Sequence, residues 1–275
     1  MTGKGAGSYY RDIPMKPELE RVRLSLGGSF TPAVRIFLWI NGLTYLFLEL
    51  VAQRGFVLQT LDGLDIQVPY ARLLPQLLGL VPYSVTHDYA WWQPITYMFV
   101  HREFFHLLMN MLALWWFGAD VERQWGTKAF LRYYFVTGIG AGLTSIAMGW
   151  NSMTPTIGAS GAVFGLLLAF GVLFPNRVIY LYFVIPVKAK YCVLGFGALE
   201  FLALVAWSPG DGVNHIAHLG GMFFGLAWFA YYRYGLDVQS LWRRLKRRRM
   251  RRKLRLIRKN RDEDPFDQYS NRTIH

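Results

Sequence analysis

Apolar residues run through this chain in long blocks rather than in alternation. Several blocks approach the ~20 residues that cross a bilayer. The pattern predicts six spans, at about residues 35–53, 104–119, 130–150, 157–174, 191–207 and 213–232. Residues 1–34 read as a polar tail with a short helix near 17–25. Between the first two spans lies a long mixed segment. It holds the turn signal Asp62-Gly63 and an apolar piece at 70–81, too short to span and too apolar to leave in water, which is expected at the interface. Trp91, Trp92 and Tyr97 fit an aromatic belt. Residues 176–190 form a mixed connection. The expected fold is all-α: a polytopic six-helix membrane core at 35–236, between tails at 1–34 and 237–275.

Composition agrees with a membrane protein. The chain is 53% hydrophobic and 17% aromatic, with a mean hydropathy of +0.21, too apolar for an ordinary soluble domain. The first apolar block starts too far in for a cleavable signal peptide. Cys192 is the sole cysteine, which excludes an internal disulfide. It has no matching metal-ligand set and reads as core.

Charge then orients the bundle. The net charge is +13, and 13 Lys/Arg fall between residues 243 and 261, directly after the last span. Nucleic acid is one partner for so basic a run, but an anionic lipid surface lies nearer. Leu241, Leu245, Met250, Leu254 and Ile257 recur at three to five residues, so the run is either a basic amphipathic helix on the membrane or a solvated topology anchor. Arg123, Lys128 and Arg132 follow the second span, and Arg177, Lys188 and Lys190 the fourth. The loops at 151–156 and 208–214 contain no Lys or Arg. The positive-inside rule places both termini in the cytoplasm, so spans two, four and six enter from the outer face.

Each of those three spans carries polar residues near its outer end. The fourth opens with Thr156-Ile157-Gly158-Ala159-Ser160-Gly161-Ala162-Val163-Phe164-Gly165. A serine among small residues is a common helix-packing device, and that is one reading of Ser160. His218 sits in the sixth span beside Gly221-x-x-x-Gly225, which permits close helix contact. His106 and Asn110 lie four apart, on one face of the second. All three sites fall roughly 5–10 Å below the outer surface, at 1.5 Å per residue. Polar groups inside a bilayer are costly and usually mark function. A serine with an imidazole to take its proton, and donors for an oxyanion, are the parts needed for acyl transfer.

These motifs, Gly158-x-Ser160-Gly161, His106-x-x-x-Asn110 and Ala217-His218-x-x-Gly221, resemble as a set those of rhomboid intramembrane serine proteases. The resemblance covers about residues 35–233. It implies a six-helix core, a Ser160/His218 dyad needing no acid, an oxyanion hole from His106, Asn110 and the Ser160 N–H, no cofactor or metal, and cleavage of membrane-anchored proteins. The expected location is a bacterial inner membrane. The stretch from Val121 to Gly126 is similar to the one that follows the family's second helix, and Phe164 matches an aromatic that packs on the histidine. Trp92-Gln93 departs from the family's Trp-Arg pair. The other reading from this resemblance is an inactive relative that escorts membrane clients. His215, one turn from His218, competes for the base role or lines a wet cavity. His101 is expected at the interface. Glu200 has three open readings: a bond to a neighbouring helix, a place near the site, or protonation. Glu49 is equally open. A mobile lid is expected at 208–212.

Overall fold

The computed structural model describes residues 29–52, 54–59, 65–181, 184–206, 213–234 and 250. The short helix expected at 17–25, the turn at Asp62-Gly63, the lid at 208–212 and nearly all of the basic tail lie outside them. The chain divides into two compact units, Met1–Trp228 and Phe229–His275, and the residues of the polar motifs all lie in the first.

Helix α1 (Pro32–Ala52) begins on a proline, whose fixed φ suits a first turn and whose missing N–H would be unpaired there anyway. The orphan donors that follow are met from far along the chain. Glu122, 2% exposed, accepts bonds from Ala33 N at 2.9 Å, Val34 N at 3.1 Å and the Thr31 hydroxyl. It also accepts from Thr127 Oγ1 at 2.7 Å. One carboxylate thereby caps the first helix, where its charge complements the helix dipole, and holds the start of another. Arg123 adds a bond to Ser29 O at 2.9 Å, and Phe30 stacks on Trp115 at 5.4 Å. The helix consequently starts at Pro32, three residues before the hydropathy block.

The second apolar run is one rod in three parts: α2 through α4 come first as short pieces and the rod follows. Helix α2 (Tyr70–Leu78) occupies the expected interfacial piece, and α3 (Pro82–His87) and α4 (Gln93–Thr96) lead into a single 3₁₀ turn at Tyr97–Phe99. The rod is α5 (Phe104–Ala113), a π-helical turn (Leu114–Gly118) and α6 (Ala119–Trp125). Trp91 and Trp92 are exposed, as a belt requires, whereas Tyr97 is 1% exposed. Its hydroxyl donates to Gly138 O at 2.6 Å, so Tyr97 is core and not belt.

Helices α7 (Thr127–Met148), α8 (Ser160–Leu173) and α10 (His215–Tyr234) meet backbone to backbone. A Cβ on Gly221 would fall 1.9 Å from Gly161 O, and one on Gly165 would fall 2.5 Å from Thr137 Cβ. Contact this close is how small residues hold helices together where no hydrophobic force acts between them. Tyr133 crosses the same seam, donating to Gly165 O at 2.7 Å. The seam fixes the distance between the fourth and sixth predicted spans, and so between Ser160 and His218.

Helix α9 (Ala189–Ala206) packs more loosely, with Leu194, Leu199, Phe201, Leu202 and Val205 more than half exposed. Among the described residues three helices are long and apolar enough to cross a bilayer: Pro32–Ala52, Phe104–Trp125 and Ala189–Ala206. Helix α8 is apolar but has 14 residues. Two antiparallel hairpins correct the all-α expectation, leaving a mostly helical chain. Strand β1 (Gly55–Gln59) pairs with β2 (Asp65–Pro69), and β3 (Val178–Leu181) with β4 (Ile185–Lys188). Both stand where connections were expected. Pairing satisfies the backbone groups of these extended runs.

Candidate active site

Helix α8 can begin no earlier than Ser160 because the chain before it is pinned in extended form. Leu80 and Thr156 exchange backbone bonds at 2.8 and 2.9 Å, and Gly158 N donates to Tyr97 O at 2.9 Å. Gly158 has a φ of +112°, a region open to glycine. It also faces the His106 ring: a Cβ there would fall 2.8 Å from His106 Cε1 and Nε2. The residue is therefore fixed as glycine twice, once by backbone and once by the approach of an imidazole.

Ser160 is half-buried at the first position of α8. Its N–H has no intrahelical acceptor, as for any first-turn residue. Its Oγ lies 2.7 Å from His218 Nε2. His218, 8% exposed, is held flat by Phe164, whose ring stacks on it at 4.4 Å and 15°. A hydroxyl in hydrogen-bond contact with an oriented imidazole can lose its proton to that ring as it attacks an electrophile.

His106 is half-buried and Asn110 buried on α5. Asn110 Nδ2 donates to His106 O at 2.9 Å, which leaves the second amide hydrogen for another acceptor. His101, expected at the interface, is 4% exposed. Its ring stands edge-on to His106 at 5.1 Å, and its Nε2 accepts from Ala159 N at 3.4 Å. Burial, then the neighbouring His106, push its pKa down to about 4, so it is a neutral acceptor at physiological pH.

Glu200 resolves toward the site. Its Oε2 lies 2.6 Å from His215 Nδ1 and 3.0 Å from His218 Nδ1. The second contact is close but out of line for a hydrogen bond, and His218 Nδ1 is buried with no aligned partner. Ligand atoms of Glu200, His215 and His218 all fall within 4.8 Å of one another. Glu49 remains without an assigned part.

Two residues have structural parts that the sequence did not assign to them. Asn214 caps α10: its Oδ1 accepts from Ala217 N at 3.0 Å, while Nδ2 donates to Ser145 Oγ at 2.8 Å and Thr156 Oγ1 at 2.7 Å. An asparagine one residue before a helix is a legible cap signal, but its two distant partners are not. Gln93, 1% exposed, accepts from Val81 N and donates to Gln76 O, both at 2.8 Å. It ties α4 to the segment before α3, a structural part for the position where the family pattern has arginine.

A family model described as "Rhomboid domain" matches residues 88–235. Among relatives, the chain is 36% identical to "Rhomboid protein 1, mitochondrial" of Saccharomyces cerevisiae, over 51% of this chain and 42% of that one. It is 33% identical to "Rhomboid protease GluP" of Bacillus subtilis, over 67% and 34%. It is 31% identical to "Rhomboid protease AarA" of Providencia stuartii, over 54% and 58%. The matched stretch thus spans between about a third and three fifths of these relatives' length. A further relative, 32% identical over 62% of this chain and 53% of that one, is "RHOMBOID-like protein 6, mitochondrial" of Arabidopsis thaliana; relatives from mitochondria as well as bacteria give the expected bacterial inner membrane no support over the alternatives.

Proposed function

The chain belongs to the rhomboid family, and from that premise we propose that it is an intramembrane serine endopeptidase cleaving transmembrane-anchored proteins in the outer part of the bilayer. The observation that carries the reading is the 2.7 Å contact from Ser160 Oγ to His218 Nε2 at the start of a buried helix. In this reading Nε2 takes the serine proton as Oγ attacks the scissile carbonyl carbon. The carbonyl oxygen gathers charge, and the Ser160 N–H, Asn110 Nδ2 and His106 hold it. The positive end of α8 adds to that stabilisation. Nε2–H then protonates the departing amide nitrogen, leaving an acyl-enzyme for water to hydrolyse.

The same proposal takes residues 35–236 as a core of six crossings between cytoplasmic tails at 1–34 and 237–275. The substrate is a transmembrane protein, and the basic C-terminal tail meets anionic lipid, with no part for nucleic acid. A bilayer charge effect of about 1 kcal/mol per Lys/Arg near the surface supports the lipid assignment.

The test is cleavage of a membrane-anchored reporter together with labelling by a fluorophosphonate probe. The intact chain is expected to cleave and label. Ser160→Ala and His218→Ala should lose several orders of magnitude in turnover while staying folded. Full cleavage by Ser160→Ala overturns the mechanism. An intact, folded chain that neither cleaves nor labels selects the client-binding alternative.

A further inference from the structure

From Tyr191 onward helix α9 carries a single charged residue, Glu200. Its outward residues are exposed aliphatic and aromatic side chains. A carboxyl in such a helix is expensive in lipid unless it turns inward to partners. Glu200 does turn inward, and its partners are the two histidines at the start of α10. The order of atoms is Glu200 Oε2, 3.0 Å, His218 Nδ1; then across the ring, His218 Nε2, 2.7 Å, Ser160 Oγ. Acid, imidazole and hydroxyl stand in the sequence of a serine-hydrolase triad.

A neutral imidazole has two tautomers, and only the form with hydrogen on Nδ1 leaves a lone pair on Nε2 facing the serine. Among the described residues no group makes an aligned hydrogen bond to His218 Nδ1. Glu200 is the acceptor within reach. His215 takes the aligned bond to the same oxygen at 2.6 Å, which fixes where the carboxylate sits.

We infer that Glu200 is a positioning residue for His218, selecting the Nδ1–H tautomer and offsetting the imidazolium charge formed when the serine proton reaches Nε2. The inference rests on the hydrolytic reading above and adds an acid to its dyad. Glu200 remains ionised throughout: the proton moves from Oγ to Nε2 and onward to the leaving nitrogen, never to the carboxylate. The acid comes from the loosely packed α9, on a different helix from both partners.

Among the described residues, Ser160 and Phe164 face His218 from α8, Glu200 from α9 and His215 from its own helix. Glu200 supplies the negative charge beside the ring, at 3.0 Å from His218 Nδ1.

The test is steady-state cleavage by the full chain in lipid, with and without chelator. Glu200→Gln should lower kcat by about 10- to 1,000-fold with KM nearly unchanged. Glu200→Asp should recover part of the loss. Fluorophosphonate labelling of each folded variant reports nucleophile reactivity directly and should fall with kcat. Wild-type kcat in Glu200→Gln overturns the inference, as does a drop in kcat with wild-type labelling and no recovery by aspartate. Loss of wild-type activity to chelator also overturns it, by giving Glu200, His215 and His218 to a cation. Ser160→Ala and His218→Ala run alongside: activity in those would sink the hydrolytic reading itself, whereas dead controls beside an unaltered Glu200→Gln sink only the role of the acid.

Discussion

At the scale of single residues, position matters more than identity. Serine, histidine and asparagine are ordinary in helices. Ser160 differs because its hydroxyl meets a ring held flat by Phe164, and Asn110 because half of its amide is committed to its own helix. If the remaining hydrogen serves the oxyanion, Asn110→Ala should slow turnover about 10²–10³-fold and leave KM nearly unchanged. Unchanged kcat would reduce the side chain to a helix-internal bond. Ser160, His218, His106 and Asn110 could each be named from spacing and motif. Glu200 could be noticed but not placed, because hydropathy says that an acid in a span needs a partner without saying which. Asn214 and Gln93 were invisible as joints: their partners lie 12 to 69 residues away in sequence, and no local pattern encodes such pairings.

At the scale of elements, long apolar runs were read well and their ends poorly. Length and hydropathy locate a helix, but its first residue is set by whatever meets the orphan N–H groups. For α1 that is Glu122, 88 or more residues away. For α8 it is the pinned strand-like approach through Thr156 and Gly158. The hairpins escaped because four- and five-residue strands carry little periodicity beside spans of twenty. Glu122 offers a test at this scale. Glu122→Ala strands several buried donors at once, and bonds to charged groups contribute about 1.5–3 kcal/mol each. The variant should therefore lose on the order of 3 kcal/mol or more of stability, read as a clear fall in thermal midpoint in detergent. Glu122→Gln, which keeps an acceptor, should fall less. Equal midpoints for all three proteins would show that the cap is not holding α1 to the bundle.

At the scale of the whole molecule, the chain is a mostly helical membrane protein whose polar groups gather toward one proposed face. The orientation proposed from loop charge is open to direct measurement. In a Cys192→Ala background, Met153→Cys should react with an impermeant maleimide from outside, and Lys128→Cys only after permeabilisation. Both positions are exposed. The opposite pattern would invert the topology and put the serine in the wrong leaflet. The π-helical turn at Leu114–Gly118 bears on how such a molecule changes over time. One surplus residue in a helix acts as a phase slip, rotating everything beyond it by about 100°. The His106/Asn110 end and the Glu122 end of the rod are thus aimed by separate clocks. Drift in the Glu122 half can re-aim its clamp on α1 without turning the histidine, while deletion of a single residue in the slip would bring the clocks back into step and point one end away from its partners.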